Sequence, residues 1–287
     1  MSQNPIANPK RTAALVVGIE KYMAQDWDLD GVAAGARMFA EWLIGRKVPA
    51  DRILLHLSEK SPAGPLQVMT KSELIEINVL DANHETIRKS FRETIATWSK
   101  WNELDLLIVY WAGHGYVDHQ VRWLDYSDSR HEDRRAFPFD SLLAAARCWP
   151  YPALTAAFID ACASDLMWSE PEVRPGGEYF SLGTPNLEAR QFVLFSARVD
   201  QSVDNLRYDD PESFSATLFK ALEVADAAWP PDLPGIVQRV KGRYEELRGN
   251  RRTSRIPVFA NISWDGDVTD SGVFRLSHLR HNRFKLE

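Results

Sequence analysis

The sequence predicts an α/β fold with a mostly parallel central sheet. Three continuous apolar runs, TAALVVGI (12–19), LDLLIVYW (104–111) and ALTAAFIDA (153–161), have the composition of strands buried on both faces. Between these runs, apolar residues recur at helical spacing. Because strands and helices alternate along the chain, we expect a three-layer sandwich with about six central strands and helices on both faces.

The other elements follow from the same patterns. Further strands are predicted at 52–57, 191–197 and 256–262, and VRWLDY (121–126) is a candidate short strand. Helices are predicted where apolar residues return every three or four positions, near 31–45, 84–100, 140–148, 214–222 and 236–247. Ser213 is a candidate N-cap of the fourth helix. The stretch 60–82 has no clear period and is predicted as loop with possible short structure, and 162–190 has the length of a functional loop.

Composition limits the function classes. The chain has 287 residues, 45% of them hydrophobic, and a net charge of −6, which argues against a dedicated nucleic-acid binder. It contains no apolar run of the roughly 18 residues that a membrane span needs. The first residues do not resemble a secretion signal, and two cysteines make no disulfide framework, so we expect a cytoplasmic protein. With no linker visible, 1–287 is predicted as one domain, with a core at about 10–262 and a tail at 263–287.

One histidine and one cysteine follow strong strands. His114 comes directly after the strand at 104–111, between Gly113 and Gly115, and Cys162 follows the strand at 153–161. Side chains at the carboxyl ends of neighbouring parallel strands meet at one edge of the sheet. A histidine within hydrogen-bond reach makes a thiol a good nucleophile near neutral pH. The residues therefore predict a catalytic pair, with the amides of Gly115 and Cys162 available to an oxyanion.

Other interpretations remain open at this point. A histidine after a strand is often structural, and a buried cysteine is often a small apolar filler. His114, His119, His131 and Cys148 match no structural zinc spacing, so no metal site is predicted. No acidic loop shows a calcium ligand series, so bound calcium is without support. We expect no cofactor.

Four segments, AALVVGIEKY, LIVYWAGHG, AAFIDACAS and FVLFSARVDQSVD, together resemble the caspase-like cysteine peptidases that include metacaspases, paracaspases and their bacterial relatives. The resemblance covers roughly 10–262 and implies a caspase-like sandwich and a Cys–His dyad. The separation of 48 residues between His114 and Cys162 is close to the caspase value of about 50. Ser164 matches the metacaspase motif, whereas Ala163 and Asp165 depart from it. The cysteine box of animal caspases is absent, so cleavage after aspartate is not expected.

The resemblance also implies a pocket for arginine or lysine. Asp160, two residues before the cysteine, occupies the position that lines this pocket in metacaspases and paracaspases. A carboxylate there would form a bidentate pair with a guanidinium. Asp204 is the expected second acid, with Asp200 as the alternative. Gly35 stands where the family often has a third acid, so the pocket would contain two.

The implied partners are a protein substrate and an upstream protease or sensor that activates the enzyme. We expect a regulated effector protease of bacterial defence or cell death, with no nucleic-acid or membrane partner. The loops at 162–190 and 127–137 contain arginines and are candidate sites for activation by cleavage or binding. Two alternatives remain: a catalytically silent scaffold that binds proteins, and a thiol hydrolase that acts on small molecules.

Overall fold

The computed structural model describes the chain at 7–100, 104–118, 121–150, 152, 154–162, 164–165, 184, 186, 188–197, 210, 213–224, 228–250, 253, 257–262 and 268–270. Within these residues the strands are β1 Thr12–Ile19, β2 Ile53–Ser58, β3 Leu66–Met69, β4 Leu74–Ile77, β5 Val79–Asp81, β6 Leu106–Gly113, β7 Gly115–Asp118, β8 Val121–Asp125, β9 Ala136–Pro138, β10 Leu154–Ala161, β11 Ser164–Asp165, β12 Arg190–Phe195, β13 Val258–Ile262 and β14 Val268–Asp270. The α-helices are α1 Val32–Gly45, α2 His84–Lys89, α3 Ala96–Lys100, α4 Phe139–Arg147, α5 Phe214–Val224 and α6 Leu233–Gly249.

The described residues form a central sheet in the order β14-β13-β12-β10-β6-β1-β2-β5. The six strands from β12 to β5 are parallel, which confirms the predicted parallel core of about six strands. Antiparallel β13 and β14 extend the sheet beyond β12. The continuous apolar runs of β1, β6 and β10 occupy adjacent central positions, where both faces are covered.

Helices cover the two faces of this sheet, as the periodicity predicted. Side chains of α1, α5 and α6 pack with one set of alternating strand residues, including Ile108, Tyr110 and Phe158. Side chains of α4 and of the segment 84–100 pack with the other set, including Val109 and Trp111. Within 84–100 the helix is interrupted by a π-helical turn at Ser90–Ile95.

The segment 60–82, predicted as loop with possible short structure, contains the short strands β3, β4 and β5. β3 and β4 pair as an antiparallel hairpin, and β5 adds to the edge of the central sheet. Their residues are largely exposed or half-buried, so the hydrophobic pattern that identifies a buried strand is weak. A further small sheet has the order β11-β7-β8-β9, and its strand β7 begins directly after the residue that follows β6. VRWLDY therefore does supply a strand, β8.

In the described part of the chain, no helix has the length and apolar character needed to cross a bilayer.

Candidate active site

His114 and Cys162 lie opposite each other at the carboxyl ends of β6 and β10. Before them, Asp160 pairs with Ala112 and Ala161 with Gly113 in the parallel ladder. After them, Ser164 of β11 pairs with Tyr116 of β7, again in parallel. Both ladders have the same offset of 48 residues, which is also the separation of Cys162 from His114. Since adjacent strands lie about 4.8 Å apart, the two backbones are brought side by side at the predicted edge.

His114 and Cys162 are both half-buried, and His114 is more exposed than the residues on either side of it. All of β6 is buried, and so are the three residues that follow His114, whereas His114 itself is half-buried. Cys162 is likewise half-buried and unpaired in any disulfide. The two residues therefore retain some exposure at an edge whose surroundings are packed.

The histidine is oriented by a backbone carbonyl. Its Nε2 lies 2.7 Å from the carbonyl oxygen of Trp27, in the 3-10 turn Gln25–Trp27 that follows β1. Because a carbonyl oxygen only accepts, Nε2–H must be the donor, and in the neutral ring the lone pair is then on Nδ1. Burial lowers the pKa of His114 below its ordinary value, with the Trp27 hydrogen bond and the Asp125 charge acting in the opposite direction. The ring is thus neutral, and basic at Nδ1, at neutral pH.

Tyr22 fixes the backbone of the histidine. Its hydroxyl oxygen accepts a 2.8 Å hydrogen bond from the backbone N–H of His114. That oxygen lies only 2.7 Å from the point where a Cβ on Gly113 would be, so any larger residue at this position would displace it. The tyrosine ring also lies 5.0 Å from the imidazole, measured between ring centroids.

The backbone of Gly115 lies beside the cysteine. Asp125 donates its N–H to the carbonyl of His114 at 3.0 Å, and Gly115 pairs with Leu124. His114 and Asp125 are therefore a hydrogen-bonded pair of this antiparallel ladder, and the next pair, Gly115 and Leu124, is a non-hydrogen-bonded one. The N–H of Gly115 consequently points away from β8. A Cβ at position 115 would lie 3.0 Å from Cβ of Ala161, 3.0 Å from the carbonyl oxygen of Trp123 and 3.1 Å from that of Cys162. Gly115 therefore lies close beside Cys162.

Asp160 is held by a hydroxyl relay. Its Oδ2 accepts a 2.7 Å hydrogen bond from Oγ of Ser215 on α5, and that Oγ lies 2.8 Å from the Tyr110 hydroxyl. Asp160 remains half-buried at the end of β10, two residues before Cys162. Burial and the Asp160 charge both raise the pKa of Tyr110, which keeps the phenol protonated as a donor to this relay.

An ion pair lies next to the histidine. Asp125, fully buried, accepts two hydrogen bonds from Arg134, at 2.9 and 2.8 Å. The guanidinium carbon is 3.8 Å from the ring centroid of Tyr116 and 4.9 Å from that of Trp27. The arginine thus contacts the same tryptophan whose carbonyl binds His114.

The other predicted residues are placed as follows. Asp204 and Asp200, expected in the pocket, lie outside the described residues, as do most of 162–190 and most of the tail 263–287, of which β14 is described. Gly35, at the third acid position, lies buried in α1. In the described part of the chain, no three His, Cys, Asp or Glu side chains cluster closely enough to hold a metal ion.

The sequence interpretation did not identify Tyr22, Trp27, Asp125, Arg134 or Ser215. Tyr22 ends the first of the four family-like segments, which is the signal that would have singled it out. Trp27 acts through its backbone carbonyl, so its side-chain identity gives no signal for the contact. Arg134 was noted only as a charge in a polar loop.

Comparisons with known proteins give a consistent result. A family model described as the caspase domain, Peptidase C14, matches residues 11–263. Among solved structures, caspase-1 from Spodoptera frugiperda is similar with a TM-score of 0.56 and 13% sequence identity, covering 92% of this chain and 92% of that chain. A protein from Geobacter sulfurreducens has a TM-score of 0.49 and 11% identity, covering 88% of this chain and 93% of that chain. A search of curated protein sequences finds no match.

Proposed function

Because the chain belongs to the caspase-domain family of cysteine peptidases, we propose that it is an endopeptidase that cleaves proteins after arginine or lysine, with His114 and Cys162 as its catalytic dyad. The observation that supports this most directly is the shared offset of the two ladders on either side of the pair. This offset brings His114 and Cys162 side by side at one edge of the sheet, which supports their pairing as base and nucleophile.

The reaction follows from the groups at this edge. Nδ1 of His114 takes the thiol proton as Sγ of Cys162 attacks the scissile carbonyl carbon. The N–H groups of Gly115 and Cys162 stabilise the oxyanion. As the C–N bond breaks, the imidazolium gives its proton to the leaving amine, and a thioester remains. Water then attacks the thioester while His114 accepts a proton from it, which releases the carboxylic acid and regenerates the thiol.

The orientation of the imidazole supports this role. With Nε2–H donating to the Trp27 carbonyl, Nδ1 is the nitrogen that exchanges protons. A pKa lowered by burial keeps the ring neutral, so it is ready to accept a proton at neutral pH. No step requires a metal or an organic cofactor.

Specificity for a basic residue is proposed from Asp160. Its carboxylate is half-buried beside the cysteine, and Ser215 restrains one of its oxygens. A restrained carboxylate in a partly desolvated site pairs strongly with a guanidinium or an ammonium and discriminates against uncharged side chains. Asp204 is the proposed second acid of this pocket.

The biological role we propose is that of a regulated cytoplasmic effector protease in bacterial defence or cell death, activated by an upstream protease or sensor. The support is the family resemblance of the motifs around His114 and Cys162.

A panel of fluorogenic peptides with arginine, lysine, aspartate or norleucine before the scissile bond tests the activity. We expect turnover of the arginine and lysine peptides, its loss in Cys162→Ala, and wild-type rates in the matched control Cys148→Ala. Asp160→Asn should lower kcat/KM for the basic peptides by about 100-fold or more. Turnover by Cys162→Ala would exclude the dyad, and a preference for aspartate would exclude the pocket. A folded wild type that neither turns over peptides nor reacts at Cys162 with a peptidyl electrophile would favour the scaffold.

A further inference from the structure

We propose that Arg134 is a positioning residue for the dyad: it holds Trp27 so that the Trp27 carbonyl fixes His114 with its proton on Nε2. This inference rests on the proposed function, since it assigns a role in the orientation of the proposed base. It concerns the loop between β8 and β9, residues 126–135, which we call the β8–β9 loop.

The turn that supplies the Trp27 carbonyl is a weak element by itself. Gln25–Trp27 is a single 3-10 turn with no side-chain cap, and both its first two residues are exposed. One turn of this kind forms few internal hydrogen bonds, so its position depends on what packs against it. A carbonyl that must stay 2.7 Å from Nε2 therefore needs a restraint from outside the turn.

The β8–β9 loop provides such a restraint. Backbone N–H groups of Met23 and Ala24 donate to carbonyls of Ser127 and Ser129, at 2.9 and 3.2 Å. His131 Nε2 lies 2.8 Å from Oδ1 of Asp26. The loop and the turn are thus joined at several points along their length.

Arg134 makes the most buried of these contacts. Its guanidinium lies between two aromatic rings, 4.9 Å from the centroid of Trp27 and 3.8 Å from that of Tyr116. The two hydrogen bonds to Asp125, which is fully buried, leave the group little freedom to move. A planar cation fixed in this way stacks on an indole more specifically than a lysine ammonium would.

Asp125 of this ion pair also contacts the histidine, through its backbone N–H. Asp125 donates its backbone N–H to the carbonyl of His114, so its carboxylate and the histidine backbone belong to one rigid strand pair. Arg134 therefore connects the strand that follows His114 to the turn that accepts its Nε2–H. Among the links between the loop and the turn, this one contacts the residue whose carbonyl binds the imidazole.

The neighbouring arginines provide a matched control. Arg135 pairs with Asp133 and Asp128 on the surface of the same loop, and its described contacts do not include Trp27. Arg130 is exposed and contacts Met23. Of these three arginines, Arg134 is the one that the described structure both pairs with the buried Asp125 and places against the ring of Trp27.

The test compares three variants of the full chain. Arg134→Gln is combined with Asp125→Asn, so that no buried charge is left without its partner. Arg134→Lys retains the positive charge and loses the planar group, and Arg135→Gln is the control. Peptide kinetics are measured with an arginine substrate, and the tautomer of His114 is read by ¹⁵N NMR of the histidine ring, with the signal assigned by its loss in His114→Gln.

We expect wild type to show Nε2–H as the single neutral tautomer of His114. The double variant should show exchange between tautomers and a fall in kcat of about tenfold or more at nearly unchanged KM, since a small displacement of a catalytic group is costly. Arg134→Lys should be intermediate, and Arg135→Gln should match wild type. An unchanged His114 tautomer in the double variant would overturn the proposal, whatever happens to kcat. If wild type turns over no peptide, the proposed function fails, but the NMR comparison still tests the role of Arg134.

Discussion

His114 and Cys162 lie opposite each other between two parallel ladders that share one register, β6 with β10 before them and β7 with β11 after them. The two residues are therefore not placed by the flexible reach of their side chains. Strand pairing brings their backbones together, and the surrounding loops orient the imidazole and the thiol.

Adding a methyl group at Gly115 should block the reaction. A Cβ there would lie 3.0 Å from Cβ of Ala161, 3.0 Å from the carbonyl oxygen of Trp123 and 3.1 Å from that of Cys162, so β7 would have to shift relative to the cysteine and to β8. We expect Gly115→Ala to lower kcat by about 100-fold, the usual loss when an oxyanion donor is displaced. The measurement is steady-state kinetics on an arginine peptide.

Gly242→Ala is the matched control for this substitution. Gly242 lies within α6, and a Cβ there would meet nothing within 4 Å. Alanine should leave the kinetics unchanged and raise the free energy of unfolding by about 0.5–1 kcal/mol, through its higher helix propensity. Equal activity of Gly115→Ala and Gly242→Ala would contradict the proposed oxyanion site.

The pH dependence of kcat/KM should report the neutral imidazole. The base form of His114 is active, so activity is present above its pKa and is lost as the pH falls through that value. Because burial lowers this pKa from its ordinary 6.5, the midpoint of the acid limb should lie below pH 6.5. A pH profile from pH 4 to 8 checks this, and a midpoint above 6.5 would be inconsistent with it.

Ser215 should affect specificity more than stability. Ser215→Ala removes the hydrogen bond that restrains Oδ2 of Asp160, and hydrogen bonds to charged groups contribute about 1.5–3 kcal/mol. We expect kcat/KM for arginine peptides to fall by about tenfold, mainly through a higher KM. Competition between arginine and norleucine peptides measures the loss of discrimination.

Ser213→Ala provides the comparison on the same helix. The Oγ of Ser213 accepts from the N–H of Ala216 and so caps α5, as its position in the sequence predicted. Its loss should lower the free energy of unfolding by about 1 kcal/mol and leave substrate preference unchanged. If both variants shift the melting temperature alike and neither changes preference, Ser215 has a structural role only.

Acid should destabilise the fold through His56. This side chain is fully buried, its ring nitrogens bond the Asp81 carbonyl and the Ser90 hydroxyl, and burial lowers its pKa from 6.5 to about 4. The unfolded chain takes up a proton near pH 6.5 and the folded chain only near 4, so this contribution is full above 6.5. It declines as the pH falls from 6.5 to 4, by about 3 kcal/mol in total. Urea unfolding at several pH values measures the slope.

His56→Gln should flatten that slope. Glutamine can hydrogen bond but does not titrate in this range, so the variant is expected to be less stable than wild type at pH 7 and to lose less on acidification. Parallel pH dependences for the two proteins would assign the acid sensitivity to other groups.

The sequence predicted those parts of the molecule whose pattern is local. The runs at β1, β6 and β10 are apolar throughout because the central strands are covered on both faces, and their ends placed His114 and Cys162 at one edge. The strands β3, β4 and β5 were missed because half-exposed residues at the sheet margin leave only short and mixed patterns. The π-helical turn in 84–100 was missed because it preserves the apolar face of the helix.

The orientation of the dyad depends on contacts that a sequence pattern does not contain. Every residue has a backbone carbonyl, so nothing in the side chain of Trp27 predicts its bond to Nε2. Arg134 and Asp125 are nine residues apart in a polar stretch and read as surface charges, whereas the fold buries the carboxylate completely. The hydroxyl relay from Tyr110 through Ser215 joins a strand to a helix that is distant in the chain. Such contacts arise only once the tertiary structure exists.

The tip of the β8–β9 loop, from Arg130 to Asp133, is exposed to solvent, yet His131 within it contacts Asp26 of the turn beside the imidazole. An antibody fragment or small ligand that binds this tip and displaces the turn would lower kcat from a site outside the dyad. Such a ligand would not compete with the peptide substrate, because the tip contains none of the residues proposed to bind it.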